Sequence, residues 1–179
     1  MKQVIVSLMA LCLVTVSTAQ TKKLIIGEWL VEKMYLNDQL LYDRNNEVDL
    51  FATYKKMAFG DTAQISVTDS LSLVETLNEA KKGLGSISLS FDAKGGHQAG
   101  NYDEQTKKQK YAKGIYKFAP GNDKDLMVKM VKSKTFDHIT IVELTATTLV
   151  IKEGNEASKD GPMMMTFTRQ PAKQQKPKR

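Results

Sequence analysis

Apolar and polar residues alternate along much of this chain. In Ser86-Ile87-Ser88-Leu89-Ser90-Phe91 the three apolar side chains share one face and three serines the other. That is the pattern of a strand with one buried face. Leu126, Val128 and Met130 repeat it between Asp125 and Lys132, and Met163, Met165 and Phe167 repeat it again opposite Thr166 and Thr168. Residues 139–144 and 148–152 are two further β-rich runs, joined by Thr145-Ala146-Thr147, which is short enough for a hairpin. Residues 28–36, 52–59, 64–68, 98–102 and 111–118 also read as strands. Asp92-Ala93-Lys94-Gly95-Gly96 and Pro120-Gly121-Asn122-Asp123 carry strong turn chemistry. Nine or ten short strands separated by turns predict an all-β domain, a barrel or a sandwich.

One segment changes period. Leu73, Val74, Leu77 and Ala80 have helical spacing. Ser72 with Glu75 can form a capping box, Lys81 and Lys82 suit the negative end of a helix dipole, and Gly83 offers a left-handed stop. The spacing predicts one short inserted helix over residues 73–82, packed on the outside or across an open end of the sheet.

The two ends do not read as fold. Lys2 precedes an apolar run over residues 4–16, and Ser17-Thr18-Ala19 offers a small-x-small cleavage signature. This predicts a secretory signal peptide over residues 1–19. The run is about 13 residues, too short for a bilayer that needs roughly 20. The chain's single cysteine, Cys12, lies within it, behind Leu11 rather than a small residue, which argues against lipidation. The mature chain then has no thiol, and so no disulfide, thiolate nucleophile or cysteine zinc site. At the other end, residues 171–179 hold four cations and no apolar residue larger than alanine, proline aside. They predict a disordered basic tail. The 179-residue chain has a net charge of +6, but without Lys2 and those four cations it is +1. No nucleic-acid-binding face is expected. The tail is a candidate contact for an envelope or surface partner, or is simply solvated. Residues 20–170 form the single domain. Its apolar faces are too short, and too interrupted by Lys117 and Lys129, for an outer-membrane barrel. No transmembrane segment is expected in the mature chain.

Gly27-Glu28-Trp29 opens the first strand and resembles the Gly-x-Trp start of lipocalins. In that family the tryptophan closes one end of an up-and-down barrel, and a late basic residue packs over its ring. Arg169 is placed for that role, so the resemblance implies barrel closure by Gly27, Trp29 and Arg169. Residues 139–151, with Leu-Thr-x-Thr at the turn, look like the late hairpin of lipocalin-like proteins exported by Bacteroidetes-type bacteria. The implied fold is an up-and-down antiparallel β-barrel, calycin-like, with the helix inserted. This chain departs from the family in having no disulfide, a helix in an unusual place and more than eight candidate strands.

Chemistry-bearing residues are sparse. The two histidines, His97 in a turn and His138 at a strand start, read as turn and surface residues. Asp137 precedes His138 and must point to the opposite face. Met163-Met164-Met165 could suggest Cu(I), but alternation splits the three between two faces, and core or pocket lining is the better use. The glycine pairs lack the order and the lysine of a phosphate loop. Glu143 and Glu153 can face the interior or form salt bridges at strand ends. No catalytic residue, metal site or cofactor is expected. A barrel of about eight strands can hold one small ligand or be filled by its own side chains. The expectation is an exported, non-catalytic protein that binds a small apolar molecule. The candidate lining is Ile87, Leu89, Phe91, Tyr116, Val128, Met130, Ile141, Met163, Met165 and Phe167, with the Tyr116 hydroxyl as an orienting group. The alternatives are a filled scaffold for protein or envelope interactions, and a barrel enzyme using His97 or His138.

Overall fold

The computed structural model describes residues 20–49, 51–52, 67–103, 105–154 and 161–171. The expected signal segment and the tail beyond Pro171 lie outside the described residues, as do residues 53–59 of the strand expected over 52–59, whose first residue, Ala52, is helical. Alternation becomes nine strands: β1 (Gly27–Leu36), β2 (Gln39–Asp43), β3 (Ser88–Phe91), β4 (Gly96–Asp103), β5 (Lys108–Ala119), β6 (Asn122–Met130), β7 (Asp137–Leu144), β8 (Thr148–Glu153) and β9 (Met163–Arg169). All neighbours are antiparallel, and β9 returns to pair with β1, closing an up-and-down barrel.

The barrel has eight staves, because the second is built from two strands. β2 covers Lys33 to Leu36 of β1, and β3 covers Gly27 to Leu30 along the same edge. Both run antiparallel to β1 and so lie end to end. The chain leaves the wall after Asp43 and re-enters at Ser88. Between these points runs α1 (Val67–Gly85). Arg44 fills the break. Its amide donates to the Glu32 carbonyl at 2.8 Å and its Nε to the Val31 carbonyl at 2.9 Å, while Ile87 accepts from the Val31 amide at 3.0 Å. Arg44 Nη2 also donates to the Gly85 carbonyl at 2.7 Å, satisfying a carbonyl at the end of α1. The Val31 amide and the Val31 and Glu32 carbonyls at the break are thereby satisfied.

Local chemistry sets the turns. Asn37 and Asp38 both have positive φ, 50° and 61°. Two left-handed residues between β1 and β2 make the hairpin turn whose twist matches the strands. Asp92 Oδ1 accepts from the amides of Lys94 and Gly96 in the β3–β4 turn. At the β7–β8 turn the Thr145 hydroxyl accepts from the amides of Thr147 and Thr148. Where β2 ends, Asp43 is buried and accepts from the Asn45 and Asn46 amides and the Asn46 side chain, with Lys33 Nζ at 3.3 Å. The Asn46 side chain and the Asn45 amide lead in holding its carboxyl down at about 2.

Three expectations about the helical region are corrected. α1 begins at Val67, so residues 67 and 68, expected in a strand over 64–68, are helical; 64–66 lie outside the described residues. Ser72 and Glu75 lie inside the helix and do not cap it. Gly83 is helical too, and is not a left-handed stop. The helix ends because the Ser86 amide and hydroxyl both turn back to the Gly83 carbonyl.

One end of the barrel is packed solid. Trp29 and Phe167 are fully buried with Val31 and Leu149. Residues 20–25 form a helical turn across this end, and the Ile25 carbonyl accepts from Trp29 Nε1 at 2.8 Å. The Arg169 guanidinium lies 4.2 Å over the Trp29 ring. It donates to the carbonyls of Leu24, Ile26 and Ala146. Gly27 has φ +143°, and a Cβ there would meet Arg169 Nη1 at 2.5 Å, so this position needs glycine. The cation over the indole contributes about 0.5–2 kcal/mol.

Trp29→Ala is expected to cost about 3–5 kcal/mol in urea denaturation; a loss under about 1 kcal/mol would mean the ring does not hold the closed end. Asp43 stabilises the fold fully above its ordinary pKa near 3.8, and that stabilisation fades as pH falls toward about 2. Melting curves between pH 5 and 2 should therefore fall more steeply for the natural chain than for Asp43→Ala.

Candidate functional site

Strand alternation turns one side chain in two into the barrel. Near the packed end the inward residues fill the space. Toward the other end they leave a cavity of about 200 Å³. Its walls are Ile87, Leu89 and Phe91 from the second stave, Ala99 from β4, Leu126, Val128 and Met130 from β6, Ile139 from β7, Ile151 from β8, and Met165 and Phe167 from β9. Three polar side chains complete it: His97, Asp137 and Glu153.

His97 was expected in a surface turn; it is instead the second residue of β4 and only 5% exposed. The turn ends one residue earlier than the glycines suggest, which puts His97 on the inward face. Its ring stacks on Phe91, with centroids 4.8 Å apart and planes 25° from parallel. Nδ1 lies 3.2 Å from the Ser90 carbonyl. A carbonyl only accepts, so Nδ1 carries the proton and Nε2 presents a lone pair. Nε2 has no hydrogen-bond partner. No buried side-chain nitrogen or oxygen among the described residues lacks one, so Nε2 borders accessible space; His97 lines the cavity and also a second groove beside Gly27 and Lys113. Burial lowers the His97 pKa below its usual 6.5, partly offset by the Ser90 carbonyl.

Asp137 and Glu153 are exposed at the rim. Asp137 faces Val128 across the β6–β7 ladder. Lys152 faces Thr140, so the next pair, Glu153 and Ile139, places Glu153 two residues from Asp137 on the same face. Such diagonal neighbours are about 7–8 Å apart. Neither carboxylate makes a hydrogen bond or ion pair with another described residue.

Of the residues expected to line a pocket, Ile87, Leu89, Phe91, Val128, Met130, Met165 and Phe167 do so. Tyr116, Ile141 and Met163 do not. The Tyr116 hydroxyl donates to the Asp92 carbonyl at 2.8 Å and its ring packs edge-on against Phe91, so it closes the β3–β4 turn and orients nothing in the cavity. Ile141 is buried in the core, outside the cavity, and Met163 pairs with Glu153 above the lining. His97, Ala99, Leu126, Asp137, Ile139, Ile151 and Glu153 complete the lining. Alternation outward from Leu126 and Ile151 is a signal for most of them. His97 needed the length of the β3–β4 turn.

His138 points outward, as its position beside Asp137 requires, and pairs with Asp125 at 3.0 Å on the outer wall. Glu143 lies exposed beside a bulge in β7. Lys117 and Lys129 project outward over the Phe136 ring. Among the described residues no three histidine, cysteine or carboxylate side chains converge as a metal site, and no helix is long and apolar enough to cross a membrane. Among the described residues the cavity lining includes no serine, threonine or cysteine to act as a nucleophile with His97. No family model, curated protein or solved structure matches the chain.

A group whose folded pKa is lowered binds its proton more readily when unfolded. The His97 contribution is thus present above about pH 6.5 and diminishes as pH falls below it. Nitrogen chemical shifts should show His97 neutral, with the proton on Nδ1, at pH 6.5. A charged His97 at that pH would contradict the buried geometry.

Proposed function

We propose that the protein is an exported, lipocalin-like carrier that binds a small apolar molecule inside its barrel and performs no chemistry on it. The carrying observation is the cavity of about 200 Å³ inside a closed barrel, walled mainly by aliphatic and aromatic side chains. Export is read from the apolar run over residues 4–16 and the Ser17-Thr18-Ala19 signature. The lipocalin likeness is supported by Gly27, Trp29 and Arg169 acting together at the packed end.

The size of the space limits the guest. An apolar cavity of about 150 Å³ takes benzene, so this one suits a single ring with a few added atoms. Burying on the order of 200 Å² of apolar surface gains about 5 kcal/mol before the cost of association is subtracted. That gross gain corresponds to a dissociation constant of about 0.2 mM, so apolar burial by itself supports affinities of about 0.2 mM or weaker.

Native mass spectrometry of residues 20–179, purified from an exporting cell, tests this reading. A reproducible bound mass is expected for the natural chain. Ala99→Phe, which fills the cavity from β4, should remove it while keeping the barrel folded. An unbound natural chain that instead captures an envelope partner, and loses it when residues 171–179 are deleted, would move the function to a filled scaffold.

A further inference from the structure

We propose that the guest is a small aromatic or aliphatic amine, with its ammonium at Asp137 and Glu153 and a hydroxyl or N–H donor at its other end reaching His97 Nε2. This rests on reading the cavity as a binding site, and it goes further by assigning charge and polarity to the guest. The rim supplies the first half of the argument. Asp137 and Glu153 stand about 7–8 Å apart on one face, and neither has a partner among the described residues. An ammonium between them can donate to both carboxylates, and such charge-assisted bonds are stronger than neutral ones.

The interior supplies the second half. His97 is 5% exposed, its ring is held by Phe91, and its Nδ1 proton is committed to the Ser90 carbonyl. Nε2 is left as an acceptor on a side chain that lines the otherwise apolar cavity. Such an atom favours a guest with a donor at that depth.

The same lining disfavours anions. Among the described residues no lysine or arginine side chain borders the cavity. A fatty acid or aromatic carboxylate would meet two carboxylates at the rim and a lone pair inside. The chain's net positive charge therefore misleads about this site, because its cations lie elsewhere.

The test uses four probes with one ring: 4-(2-aminoethyl)phenol, neutral 4-ethylphenol, 4-hydroxyphenylacetate and ethylbenzene. Binding to residues 20–179 is measured by calorimetry at pH 7.5. The amine should bind roughly five- to twentyfold more tightly than the neutral phenol, and the carboxylate most weakly. Asp137→Asn with Glu153→Gln should bring the amine down to the affinity of 4-ethylphenol. His97→Phe should remove the preference of 4-ethylphenol over ethylbenzene. Circular dichroism of each variant checks the barrel. If the neutral phenol binds as well as the amine, or the paired rim variant leaves the amine unaffected, the amine assignment is overturned and the binding cavity stands. If none of the probes binds, both the assignment and the reading of the cavity as a binding site are overturned.

Discussion

A single guanidinium joins segments from opposite ends of the chain. Arg169 is the last residue of the last strand, yet its donors reach the carbonyls of Leu24 and Ile26 before the first strand and of Ala146 in the β7–β8 turn. Its plane covers Trp29, and Gly27 lacks a side chain where it passes. A barrel must bring its first and last strands together, and that closure costs loop entropy before any long-range contact forms. The Trp29–Arg169 contact lies on the β1–β9 seam and stabilises it where the ladder would otherwise end. It also seals one end, so any space left inside must open toward the other.

The second constraint is the broken stave. A strand interrupted in mid-wall would expose amides and carbonyls of β1. Arg44 meets that requirement with its own amide and side chain, and at the same time binds the end of α1. The insertion is thereby accommodated without opening the wall. Ile87, immediately before the return, turns into the cavity, so the insertion's last residue is part of the candidate site.

Among the described residues that line the cavity, polarity is confined to two places. His97 contributes one acceptor among apolar side chains, and two carboxylates stand at the rim. The outer surface is different in kind. His138 and Asp125 pair there, and Lys117 and Lys129 share the Phe136 ring. The two histidines of this chain therefore occupy unlike environments because of one fact, the face of the strand on which each falls.

The amino-acid sequence determined the strands whose alternation is regular and the Thr145 to Thr148 turn, while the lipocalin resemblance implied Gly27, Trp29 and Arg169 as a candidate closure. These depend on neighbours in the chain, or on residue types with few alternative uses. β2 was not read as a strand: Gln39-Leu40-Leu41-Tyr42-Asp43 does not alternate, because Leu41 is an extra residue opposite the Met34–Tyr35 step of β1. The merging of β2 and β3 into one stave was not legible, since two segments 44 residues apart become collinear only by sharing an edge of β1. His97 was hidden because one residue of turn length decides its face. Tyr116 was misread because the Asp92 carbonyl that accepts its hydroxyl is far away in sequence. The cavity itself belongs to the tertiary structure alone. It is the volume left between side chains from six of the staves, and no local pattern records the sum of their sizes.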